Sequence, residues 1–208
     1  CNNLTIQTNV QIMIAKQERS RKRVKIILNT ARDILAESSV DEITIANIAK
    51  RANLKRTSTY KFFPSPEKIK MMIIEDDLEQ CAQNLALNCE NNSSDNLKKP
   101  LEIIIIELIK LLKESLSLQK LVLASNITPP LTISSLDSLS SVIENYIEKN
   151  YNLPNMFNKR GVFLVTTQII ISVLSLNFKM NNTINDVGKN EAIRASLAYL
   201  LSCTASEN

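Results

Sequence analysis

Seven consecutive residues, KRTSTYK at positions 55–61, concentrate the groups with which this chain could do chemistry. Lys55, Arg56 and Lys61 are cations and Thr57 and Ser58 carry hydroxyls, a set suited to holding phosphate oxygens and to hydrogen bonding with base edges. Aromatic residues crowd the same place. Tyr60, Phe62 and Phe63 are three of only nine Phe and Tyr in 208 residues, and there is no Trp.

Bond-making chemistry has no comparable cluster. Histidine is absent, which removes Ser-His-Asp and Cys-His nucleophile arrangements, HExxH zinc sites and the commonest general base. Cys1, Cys81, Cys89 and Cys203 are scattered with no CxxC pair, so neither a metal site nor a disulfide framework is expected, and the pattern fits reduced, buried thiols. Only two glycines are available for phosphate-cradling loops. No catalytic residue, metal or cofactor is assigned, and the chain is expected not to be an enzyme.

Charge is uneven. Residues 1–75 hold fourteen Lys and Arg against seven Asp and Glu, while the remainder holds eleven against fourteen, within a net charge of +4. A basic front and an acidic back point to one end that faces nucleic acid. A solvated basic face is the alternative that charge alone leaves open.

The elements that must position these groups are helices. Two glycines and six prolines leave few hairpin turns, and apolar residues recur at helical rather than alternating spacing, so the fold class is all-α with about nine helices. After a polar lead of about seventeen residues, helix 1 is predicted over 18–38, with Val24, Ile27, Leu28, Ala31, Ile34 and Leu35 on one face and the RSRKR run exposed ahead of them. Thr44 is the N-cap of a second helix ending near Ala52, Asn53 takes the left-handed turn, and a third helix covers 55–62. Ser65-Pro66 opens a long fourth helix over 66–90, and ENNSSDN at 90–96 is a loop. Further helices follow over 100–114, 117–125, 134–150, 156–179 and 185–203, broken at Thr128-Pro129-Pro130 and NYNLPN. The uncharged stretch 161–178 reaches the length of a membrane span, but its Thr, Gln, Ser and Asn content reads as a buried helix.

Ala49, small where two helices cross, and Asn53, tolerant of the turn, satisfy the steric demand of a helix-turn-helix, with Ile45, Ile48 and Leu54 as its buried side. The longer run RVKIILNTARDILAESSVDEITIANIAKRANLKRTSTYKFFPSPEKI, residues 23–69, resembles the DNA-binding head of the tetracycline-repressor (TetR) family of bacterial regulators. The resemblance rests on Ala31, Thr44, Ile48-Ala49, Ala52, Leu54, Tyr60, Phe63 and Ser65 before Glu67. It departs from the family pattern at Asn53 for the turn glycine, Lys55 for a capping Ser, Thr59 for a Leu and Pro66 for a Lys that contacts phosphate. Lys68 or Lys61 would supply that last contact.

The resemblance implies a DNA-binding domain at 18–65 and an effector-binding and dimerisation domain at 66–208. It places Lys55, Arg56 and Thr57 toward the major groove, gives the Tyr60 hydroxyl to a phosphate, and packs Phe62 and Phe63 in the core. With Thr44, Ser58, Lys61 and Lys68 these residues form the expected DNA contact set. In the body it implies a small effector held between helices 4 and 8, with Cys81, Leu85, Ile105, Ile109 and Val122 as walls and plain core as their alternative. Gln168, Ser172 and Ser175 share one face of helix 8, and Gln168 and Ser172 join the expected site. The small stripe Ala192, Ala195, Ser196 and Tyr199 on helix 9 permits close approach of another helix, which the resemblance assigns to a second subunit and a monomeric core would assign to the first.

The expected function is a homodimeric, ligand-responsive repressor on a pseudo-palindromic double-stranded DNA operator, relieved by a small, mostly apolar effector. The alternative is a DNA-bound adaptor whose body recruits a protein. A lipidated Cys1 is set aside because DNA binding requires a cytosolic chain, so the expected location is cytoplasmic, without a membrane part.

Overall fold

The computed structural model describes residues 2–124 and 131–204, with side chains from Gln17 onward. The expected break at Thr128-Pro129-Pro130 and the Cys1 side chain lie outside them. Among the described residues the structure is nine helices with no strand: α1 (Asn2–Glu37), α2 (Ile45–Arg51), α3 (Arg56–Phe62), α4 (Pro66–Asn88), α5 (Lys98–Glu114), α6 (Leu116–Leu118), α7 (Ile133–Asn150), α8 (Lys159–Asn181) and α9 (Asp186–Thr204). The chain divides into two compact units, Cys1–Met72 and Ile73–Asn208, so the division falls inside α4.

In the first unit α1 begins at Asn2 rather than near Glu18, because no Gly or Pro interrupts residues 1–37. Its predicted apolar face is the buried one, with Ile27, Leu28, Ala31, Ile34 and Leu35 removed from solvent. Ile43, Ile45, Ile48, Ala49, Phe63 and Ile69 complete this core. Ala49 is 1% exposed, so a larger side chain there would collide with whatever α2 crosses.

The second unit is built around α8, which packs against α7 and α9, while α5 packs against α7 and α9. Leu101, Ile104, Leu108, Leu139, Ile143, Phe163, Ile170, Leu174 and Leu200 fill its core. Burying side chains of this size contributes about 1.5–3 kcal/mol each. The α8 segment is long and apolar enough to cross a membrane by composition, yet here Phe163, Ile170, Ile171 and Leu174 face protein.

Short-range polar contacts set the ends of these helices. Thr132 and Ser135 form a reciprocal capping box that starts α7, and the Ser115 hydroxyl accepts from the Leu118 amide to start α6. After α6 the backbone widens into a π turn over Gln119–Leu123, where Ala124 N–H reaches the Gln119 carbonyl at 2.7 Å. The carbonyl of Leu123 is taken by the buried Ser175 hydroxyl of α8 at 2.8 Å. Between α8 and α9, Asn182 adopts φ 53°, and Asn177 bonds both the amide and the side chain of Asn185. Gly188 sits against Asn177 with no room for a Cβ, which would lie 2.3 Å from the Asn177 Cγ.

Candidate nucleic-acid interface

The turn between α2 and α3 carries the site. The Thr44 side chain accepts from the Asn47 amide at 3.1 Å and opens α2, satisfying one of its free N–H groups. Asn53 follows α2 in the left-handed conformation at φ 53°, as the sequence requires of a residue standing where glycine is usual. The Leu54 amide then reaches back to the Ala49 carbonyl at 2.8 Å, which closes the turn on the small residue. Lys55 stands at the N-cap of α3, where an ammonium has no lone pair with which to cap, and its side chain is exposed.

Seven residues of α3 sort cleanly by face. Thr59 is 0% exposed and Phe63, just past the helix, 3%, so these hold α3 to the core of the head, and Phe62 is half-buried. Lys55, Arg56, Thr57, Tyr60 and Lys61 are exposed, Ser58 is half-buried, and Lys68 is exposed on α4. Tyr60 is 54% exposed, which points its ring edge and hydroxyl outward rather than into the core. Thr59 fits where a leucine was expected because its hydroxyl bonds the Lys55 carbonyl at 3.4 Å. Thr44 differs from the rest of the expected contact set, being half-buried with its oxygen already committed to the helix cap.

Two carboxylates of this unit are held by neighbouring groups. Arg51 makes a two-pronged contact with Glu37 at 2.5 and 2.6 Å, and that hydrogen bonding holds the Glu37 carboxyl below its usual range. At the start of α4, Glu67 is also held low, by its own backbone amide first and by the Ser65 hydroxyl second. Ser65 and Glu67 therefore act together at that helix start. One residue escaped the sequence reading as an individual. Arg23 of α1 donates from Nη1 to the Ser58 hydroxyl of α3 at 2.9 Å, across 35 positions of sequence, and nothing in its local pattern signals that contact.

No family model and no curated protein matches the sequence. The fold does match solved structures over most of their length. A TetR-family transcriptional regulator from Streptomyces coelicolor superposes with a TM-score of 0.64 at 19% identity, over 87% of this chain and 99% of that one. A TetR transcriptional regulator from Rhodococcus sp. RHA1 gives 0.65 at 13%, over 88% and 98%. Thermus thermophilus FadR, a TetR-family transcriptional repressor in complex with lauroyl-CoA, gives 0.57 at 15%, over 89% and 96%. The chain has the TetR-family fold.

Within this TetR fold the body residues singled out by sequence separate into buried and exposed sets. Cys81, Leu85, Ile105, Ile109 and Val122 are all buried. Burial pushes the Cys81 thiol up to about 12, so it stays a neutral, apolar group. Cys89, raised to about 11 by burial and then by Glu107, lines a cleft of about 330 Å³ with Leu85, Val142, Asn145, Tyr146 and Lys149.

Gln168 and Ser172 differ from that set in burial. Both are exposed on the outer side of α8, where the Gln168 Nε2 donates to the Ser172 hydroxyl at 2.9 Å. Only Ser175 is buried, where the π turn covers the helix. Ala192 and Ser196 also move. They are 0% exposed within this single chain, with the Ser196 hydroxyl bonded to the Ala192 carbonyl at 2.6 Å, because α9 is already packed on α8 and α5. Ala195 and Tyr199 remain half-exposed.

Proposed function

We propose that this protein is a dimeric DNA-binding transcriptional regulator, a repressor that holds a pseudo-palindromic double-stranded operator and is released by a small, mostly apolar effector. The observation that carries the reading is the division of α3 into a buried back and an exposed front of Lys55, Arg56, Thr57, Tyr60 and Lys61. Cations and hydroxyls on one face of a short helix match the acceptors of phosphates and major-groove base edges. Two such helices on a two-fold dimer read half-sites about 34–36 Å apart.

The dimer is supported by the outer face of α8. Val165, Leu176 and Met180 are 44%, 61% and 75% exposed there, with Gln168 and Ser172 between them, an apolar stripe that a second copy would cover. Gln168 and Ser172 belong to that contact in this reading, with Ala195 and Tyr199 of α9 at its edge. The effector reading rests on the aliphatic surroundings of Cys81, Leu85, Ile105, Ile109 and Val122, and on the acyl-CoA bound by the Thermus thermophilus repressor of the same fold. Cys81 and Leu85 lie on α4, the helix that follows α3 and runs from Pro66 to Asn88, so a ligand there would touch the element that leads back to the head in sequence.

Fluorescence titration of DNA tests the reading. Arg56→Ala is expected to weaken the preferred duplex by about 1–3 kcal/mol and relax specificity at one base pair, while Tyr60→Phe weakens all duplexes evenly. Unchanged binding by both variants would refute the assignment of α3.

A further inference from the structure

We infer that Arg23 of α1 is a positioning residue of the DNA interface, one that orients the Ser58 hydroxyl of α3 and favours its donating a hydrogen bond toward DNA. The inference rests on the DNA-binding reading above and deepens it. A serine hydroxyl has one proton to give and two lone pairs that accept, and in a helix it can serve either way. Here the Arg23 Nη1–H donates to the Ser58 oxygen at 2.9 Å. A guanidinium has no lone pair to offer, so it occupies one of the two lone pairs of the hydroxyl and leaves the proton for another group.

Among the described residues the Ser58 hydroxyl meets no acceptor of its own, and Ser58 lies between the exposed Thr57 and the buried Thr59. The proton is therefore presented at the edge of the front face, one position from Thr57. A bond to a charged donor also polarises the hydroxyl and strengthens the next bond it gives. The matching group on DNA is an acceptor: N7 or O6 of guanine, N7 of adenine, O4 of thymine or a phosphate oxygen. An exocyclic amine of adenine or cytosine in the same place would have to use the one remaining lone pair of an oxygen that already accepts from a cation, a poorer match. Arg23 thereby acts on specificity from outside α3, and its other N–H groups, exposed on α1, remain for a neighbouring phosphate.

The experiment uses the full chain and a randomised duplex pool. Wild type, Ser58→Ala, Arg23→Ala and the double variant are titrated against the duplex that wild type enriches, at several salt concentrations, with melts to confirm folding. Arg23→Met replaces Arg23→Ala if the alanine variant melts early, since it keeps the aliphatic stem and carries no N–H donor. Ser58→Ala and Arg23→Ala are each expected to weaken binding roughly tenfold, near the upper end for a single hydrogen bond. The double variant should lose far less than the product, since both changes remove one connected bond. A base preference that disappears in Ser58→Ala identifies a base-edge acceptor, and an unchanged preference with the same loss identifies a phosphate; either supports the inference. Losses that multiply, or an Arg23→Ala effect confined to the slope of affinity against salt, overturn it while leaving DNA binding intact. A wild-type chain that binds no duplex overturns the regulator reading, and this inference with it.

Discussion

Replacing Gly188 by alanine tests the tightest contact of the body. A Cβ at this position would stand 2.3 Å from the Asn177 Cγ, 2.4 Å from its Oδ1 and 2.6 Å from its Cβ. Because the Asn177 Cβ itself is in the way, rotating the amide cannot relieve the overlap; α8 and α9 must separate or Asn177 must leave its rotamer. Asn177 donates to the Asn185 Oδ1 at 2.9 Å and accepts from the Asn185 amide at 3.0 Å, and it is 8% exposed. Losing both bonds costs about 1–3 kcal/mol and overpacking about 1–3 kcal/mol more, against a gain of about 1 kcal/mol from alanine over glycine in a helix. The net expectation is a destabilisation of about 1–5 kcal/mol. In a chain of this size that lowers the melting midpoint by on the order of 2–20 °C. Calorimetry of Gly188→Ala measures it, and because the two residues touch, the pair Gly188→Ala with Asn177→Ala should lose less than the sum of the two single variants. A single variant that melts at or above wild type would refute the close α8 to α9 crossing.

The other expectations follow from exposed groups. Deleting residues 1–22 removes Lys16, Arg19, Arg21 and Lys22, and should flatten the log-log dependence of DNA affinity on salt by about 0.9 for each phosphate left without its cation; an unchanged slope would mean that these cations touch no phosphate. Leu176→Glu puts a charge in the middle of the apolar stripe of α8 and should yield folded monomers in light scattering, whereas a persistent dimer would move the interface elsewhere. Glu37, held low by Arg51, stabilises the head above the ordinary carboxylate pKa of about 4.3, and that contribution disappears as pH falls through the lowered value. Glu37→Gln should therefore differ from wild type in thermal melts near neutrality and converge with it in acid; equal melts at every pH would show the ion pair to be inert.

What the sequence by itself determined lies within three or four residues along the chain. The Thr44 cap and the left-handed Asn53 each depend on backbone groups of their immediate neighbours, so residue type sufficed. The same holds for the inward face of α1, because helical periodicity groups Ile27, Ala31, Ile34 and Leu35 whatever they meet. Periodicity also put Gln168, Ser172 and Ser175 on one side of α8, but it cannot say how much of that side is covered. The π turn reaches Ser175 and stops short of the other two, which reverses their expected burial. Ala192 and Ser196 were legible as a close-contact stripe, yet whether the partner is the same chain or a second one is decided by the path of α9 over α8 and α5. The Arg23 to Ser58 bond and the Gly188 to Asn177 contact join residues whose proximity exists only after the helices have crossed. Local hydrogen bonding is written in neighbouring residues, whereas the choice of which surface a helix buries is made by the packing of elements distant in sequence, and only the folded chain holds that information.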